Sequence, residues 1–180
     1  MGREEVRLGR LKGMKTMILA GALSFAFTLG LSSTSEAQLS IGVDGAYNNT
    51  INFGSWGLGG RVGVLLPVIK SVRPELIGGF VYYFPNCVGI ECSWWEAQGT
   101  VLLYNARSGP VAPYLGVGYS YHSFDLSQAT IDDTDWGIDF LLGSKLGRMG
   151  PTVPYGEIRY KFMNDVPNQW AFTFGLRLES

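Results

Sequence analysis

The chain has 180 residues, 14 Lys+Arg against 15 Asp+Glu, 46% hydrophobic and 16% charged residues, and 25 glycines. A length of this order suits one domain; a composition this apolar and poor in charge excludes disorder, and glycine without a period of three excludes collagen. The formal net charge of -1, with no Lys/Arg run beyond the N-terminus, leaves no basic footprint for a nucleic acid, and nucleic-acid binding is set aside.

The chain opens on scattered bases (Arg3, Arg7, Arg10, Lys12, Lys15), then an apolar run from Met17 to Leu31 and a small polar stretch ending Ser35-Glu36-Ala37. This is the layout of a secretory signal. The apolar run is shorter than the roughly 20 residues a membrane-spanning helix needs, and small residues at 35 and 37 suit cleavage before Gln38. Residues 1–37 are therefore expected to be a cleaved signal peptide and residues 38–180 the mature domain. An uncleaved N-terminal anchor is the alternative, and Met14 competes with Met1 as the start.

From Gln38 onward no helical period of useful length occurs; what recurs is alternation over about ten residues, broken by Asn, Asp, Gly, Pro and Ser clusters. Eight such runs are expected as strands: 38–47, 56–66, 75–84, 94–104, 112–122, 135–145, 153–162 and 169–178. An even number of antiparallel strands with short links makes an up-and-down barrel or a sandwich. Between the third and fourth runs lie Cys87 and Cys92, the only cysteines. In an exported chain they pair as a disulfide closing a loop tip. A metal pair is the alternative, but the single histidine gives it no further ligands, so no metal and no cofactor is expected.

Separating the two parities of each run decides more than their number. One face is bulky and apolar, as in Leu39, Ile41, Val43 and Tyr47 of the first run or Phe172, Phe174, Leu176 and Leu178 of the last. The other carries Asp44, Arg61, Glu75, Glu96, Asp139, Glu157, Arg159, Lys161 and Arg177, together with Gly57, Gly59, Gly63, Gly116, Gly118, Gly137, Gly143 and Gly175. A soluble barrel turns its apolar face inward and a membrane barrel turns it outward. Glycine has no reason to gather on a solvated face, but in a narrow barrel small residues fit beside long charged ones, so the charged face reads as the lumen.

The tryptophans agree. Trp56, Trp94, Trp95, Trp136 and Trp170 stand at or beside the starts of even-numbered strands, and Tyr47, Tyr119, Tyr121 and Tyr160 near the ends of odd ones. In an up-and-down topology these share one rim, where an apolar ring with a polar N–H or O–H suits the membrane–water boundary, so the five tryptophans are read as an aromatic girdle. The connections after strands 2, 4 and 6 hold Lys70, Arg73, Arg107 and Arg148 without an acid. Those after strands 1, 3, 5 and 7 hold Glu91, Asp125, Asp132, Asp133 and Asp165 without a base. The former are expected to be short periplasmic turns and the latter longer outer loops.

Gln38-Leu39-Ser40-Ile41-Gly42-Val43, Pro113-Tyr114-Leu115-Gly116-Val117-Gly118-Tyr119 and Trp170-Ala171-Phe172-Thr173-Phe174-Gly175-Leu176-Arg177-Leu178 resemble the small bacterial outer-membrane β-barrel proteins of the OmpA/OmpX type. The resemblance covers the mature chain and implies an eight-stranded transmembrane barrel in the outer membrane. Its partners would be outer-membrane lipid, lipopolysaccharide and the insertion machinery. Members usually end on an aromatic residue, whereas this sequence closes Leu178-Glu179-Ser180, and no peptidoglycan-binding domain is expected after the barrel.

The near-balanced lumen charges are expected to pair, Asp44 with Arg61 and Asp139 with Arg159, and so to plug the barrel; a narrow porin-like channel is the alternative. Some barrels of this architecture are lipid-modifying enzymes with His and Ser two residues apart on one strand face. Here His122 and Ser123 are adjacent and Ser120 gives only the reversed spacing, so His122 is read as an interface residue and no catalysis is expected. Asp132, Asp133 and Asp135 are read as a solvated loop, with a divalent site as the alternative. The expected protein is a non-enzymatic outer-membrane barrel acting through its outer loops; a soluble lipocalin-like carrier is the competing class.

Overall fold

A computed structural model of the chain describes residues 38–49, 54–87, 92–105, 111–126, 132–147 and 149–179. Every regular element among them is a strand: β1 (Gln38–Asn49), β2 (Gly54–Leu65), β3 (Val72–Phe84), β4 (Cys92–Asn105), β5 (Ala112–Leu126), β6 (Asp132–Lys145), β7 (Thr152–Met163) and β8 (Gln169–Glu179). Each pairs antiparallel with its sequence neighbour, and β1 pairs with β8 to close the barrel. Closure leaves no unpaired strand edge, the condition for a sheet to sit in hydrocarbon. A twelve-residue strand rising about 3.3 Å per residue and tilted about 40° spans about 30 Å, the thickness of a bilayer core.

The burial pattern alternates strictly in most strands, as in eeBeBeBiBiBe along β1. The large apolar side chains are the exposed ones, among them Leu58, Phe140, Leu142 and Phe174. Inside, glycine is used for want of room. A Cβ on Gly143 would come within 2.5 Å of the Tyr114 ring, and one on Gly63 within 2.6 Å of Glu75 Oε1 and Ser40 Oγ.

The strands run further at the outer end than the alternation suggests, which corrects the loop reading. Asp125, Asp132 and Asp133 belong to β5 and β6, and at the inner end Arg73 belongs to β3. The connections at residues 66–71, 106–111 and 146–151 are no shorter than most of those at 50–53, 85–91, 127–131 and 164–168. Polar residues continue a ladder as readily as apolar ones once both strands have left the membrane, and the alternation is blind to this.

The β2–β3 and β6–β7 hairpins are built alike. Trp56, Gly57, Gly63, Leu66 and Pro74 recur as Trp136, Gly137, Gly143, Leu146 and Pro154. At their tips Ile69 and Val72 exchange two backbone hydrogen bonds, as do Met149 and Thr152, and the residue after the first of each pair has positive φ: Lys70 at 61° and Gly150 at 66°.

Candidate functional site: the lumen

The nine charged residues assigned to the lumen parity are all at most 4% exposed. They form one array from the inner end, where the chain's described termini lie, to the outer end. At the inner end Arg177 of β8 donates to Glu75 of β3, to Ser40 Oγ at 2.7 Å and to Tyr104 Oη at 3.0 Å. Ser40 and Tyr104 in turn donate to Glu75, at 2.9 and 2.6 Å. Lys145 Nζ lies 2.5 Å from Glu179 Oε1 and 4.3 Å from the centroid of the Tyr104 ring.

The middle is organised around Glu157. Its carboxylate accepts from Arg61 Nη1 at 2.7 Å and Nη2 at 3.2 Å, a two-pronged contact, and from Tyr114 Oη at 2.9 Å; Arg159 Nη2 stands 3.7 Å away. Arg61 Nε reaches Asp44 Oδ2 at 2.9 Å, and its guanidinium lies over Tyr155, 4.4 Å from the centroid. Arg159 Nη1 donates to Asp139 Oδ2 at 2.9 Å and to Gln98. Further out, Lys161 Nζ meets Glu96 Oε2 at 2.5 Å, which also accepts from Tyr83 Oη at 2.9 Å. Asn48 donates to Gln169 at 2.8 Å across the β1–β8 seam. An ionised group without water costs several kcal/mol unless it is paired and hydrogen-bonded, and these contacts supply that compensation.

Two aromatic assignments are corrected. Trp56, Trp95, Trp136 and Trp170 face outward, each beside an aromatic ring of a neighbouring strand: Tyr47 at 4.9 Å, Tyr121 at 5.7 Å, Tyr119 at 5.9 Å and Tyr160 at 4.7 Å. Trp94 does not join them. It shares the parity of Glu96, is 4% exposed, stacks on Tyr83 at 4.3 Å and donates from Nε1 to His122 Nδ1 at 3.4 Å. His122 is likewise a lumen residue and not an interface one, because even positions of β5 point inward.

That placement brings His122 Nε2 to 3.2 Å from Ser120 Oγ, while Ser120 donates to Asp139 Oδ1 at 2.9 Å. The indole N–H can only donate, so Nδ1 accepts and the proton of a neutral imidazole sits on Nε2. The neutral histidine therefore donates to Ser120, and the Ser120 hydroxyl directs its own proton to Asp139 and not to His122. Asp135 is also corrected. It is buried, and its carboxylate accepts the backbone N–H groups of Trp136, Asp165 and Val166 at 2.8 to 3.2 Å, which fixes the β7–β8 connection.

The sequence reading missed the neutral partners. Tyr83, Tyr104, Tyr114, Tyr155 and Ser40 satisfy or pack against the charges, and Lys145 is buried among them. Their parity would have found them, since each stands an even number of residues from a lumen charge on its own strand or on the glycine-bearing face. Cys87 and Cys92 form a disulfide joining the end of β3 to the start of β4.

No family profile matches the sequence, and no curated protein does. Solved structures do. Neisserial surface protein A aligns with 80% of this chain and 97% of its own at 16% identity and a TM-score of 0.56. The N-terminal β-barrel domain of Pseudomonas aeruginosa OprF aligns with 81% of this chain and 100% of its own at 12% identity and 0.59. Ail, the attachment invasion locus protein of Yersinia pestis, solved with the heparin analogue sucrose octasulfate, aligns with 80% of this chain and 97% of its own at 14% identity and 0.59. At such identities the likeness is one of fold. The fold class this defines is the small, closed, eight-stranded antiparallel barrel.

Proposed function

We propose that the chain is an integral outer-membrane barrel, exported by a signal peptide removed before Gln38, with a lumen closed by its own ion pairs. It acts as a non-enzymatic surface protein through its outer connections. The observation that carries this reading is the inversion of polarity: charged or polar side chains buried on one parity of every strand, large apolar side chains exposed on the other. Water could not favour such a surface, and a bilayer does. Lipid and lipopolysaccharide are then the bulk partners, and insertion machinery delivers the chain to them. Closure rests on the pairing described above: a conducting lumen needs a continuous wet path, and here the carboxylates are held by Arg, Lys, Ser or Tyr.

The Ail complex concerns a polyanion on that protein. The outer connections here carry Glu91 and Asp165 without a base, which favours a cationic or neutral ligand for this chain. The test is gel mobility of membrane-extracted protein, boiled against unboiled, followed by single-channel recording. Heat-modifiable migration without conductance is the expected result. Steady conductance would replace the plug with a narrow channel, and recovery in the soluble fraction without a mobility shift would replace the barrel reading with a carrier.

A further inference from the structure

We propose that the inner hairpins are a second membrane contact, seated in the headgroup layer of an anionic phospholipid leaflet. The inference rests on the barrel reading and adds to it where the chain meets lipid beyond its apolar wall. Ile69 and Met149, at the tips of the alike β2–β3 and β6–β7 hairpins, are 66% and 69% exposed, and Val68, Val111 and Leu146 of the inner connections are exposed as well. A single exposed aliphatic residue needs no explanation; apolar side chains at every inner connection, continuous with an apolar wall, make a rim. The outer connections differ in charge, with acids and no base, and carry a disulfide and a loop tied to Asp135.

Charge gives the second argument. The inner connections contain bases and no acid in the sequence, and Lys70 stands exposed on the β2–β3 tip beside Ile69. Apolar residues flanked by a cation match a headgroup layer, where the side chains enter the acyl boundary and the ammonium meets phosphate. Backbone conformation gives the third. Lys70 holds φ at 61°, a left-handed value that glycine adopts without cost, and the equivalent position of the other hairpin is glycine, Gly150 at 66°. A lysine standing where glycine would be easier points to a use for its side chain.

The experiment places an environment-sensitive fluorophore on single cysteines, Ile69→Cys and Met149→Cys, in a chain whose Cys87 and Cys92 are both serine. Phe140→Cys reports the apolar wall and Asp165→Cys the outer end. The barrel is reconstituted in vesicles of phosphatidylcholine, alone or with an equal part of phosphatidylglycerol, and quenched by acrylamide from water or by lipids brominated at shallow or deep positions. The tip probes should be quenched by shallow bromines and be several-fold less accessible to acrylamide than Asp165→Cys. Phosphatidylglycerol should deepen this protection, and Lys70→Gly, which relieves the backbone, should abolish that deepening. Tip probes as open to acrylamide as Asp165→Cys would overturn the proposal while leaving the barrel intact. If Phe140→Cys also escaped the deep bromines, the barrel reading itself would fall. Protection indifferent to phosphatidylglycerol and to Lys70→Gly would overturn the anionic partner.

Discussion

The two faces of β7 differ by one residue step and by everything that follows from it. Glu157, Arg159 and Lys161 are buried in the lumen, whereas Ile158 and Phe162 between and beyond them are exposed. Inward positions are held by directed contacts that each need a partner on another strand. Outward positions need only be apolar, because lipid makes no geometric demand. The inside is therefore intolerant of single deletions, and the outside is intolerant of charge.

The largest expected effect is on the inside. Glu157→Ala leaves Arg61 without its two-pronged partner and takes the more distant of its two carboxylates from Arg159 and the acceptor from Tyr114. Breaking a buried pair costs about 3–5 kcal/mol, and urea unfolding in vesicles should show a loss of that order. A loss below about 1 kcal/mol would place Glu157 in contact with water. On the outside, Phe140→Arg sets a charge on the lipid face of β6 and should cost about 2–4 kcal/mol in the same measurement. If the barrel were soluble, that variant would be neutral or better.

Asp139→Ala sharpens the comparison within the lumen. Arg159 keeps Gln98 and the more distant Glu157, so the loss should be nearer about 2 kcal/mol and smaller than for Glu157→Ala. Lys70→Gly should raise stability by about 1 kcal/mol, because a left-handed lysine gives way to the residue that adopts that conformation freely. Smallest of all, Asp165→Ala should fall within about 0.5 kcal/mol, since the contact to Asp135 is made by the Asp165 backbone and its side chain is exposed. Equal effects at Asp139 and Asp165 would contradict the assignment of faces.

What the sequence determined by itself was the strand number, the sheet direction and the two faces, because a period of two repeated eight times has few closed solutions, and polarity tells them apart. It also named the nine lumen charges, since ionised side chains on a glycine-rich parity have nowhere else to go. Two pairs on adjacent strands, Asp44 with Arg61 and Asp139 with Arg159, were legible as well, and tertiary structure alone decided the partners across the barrel. Arg61 and Glu157 lie 96 positions apart, and Arg177 and Glu75 lie 102 apart; barrel closure brings them together. It also decided how far the strands continue past the membrane, and that tyrosine hydroxyls satisfy the carboxylates. Alternation records which side a residue faces, but height around a closed and staggered barrel is set by inter-strand register, and no local run of sequence carries that.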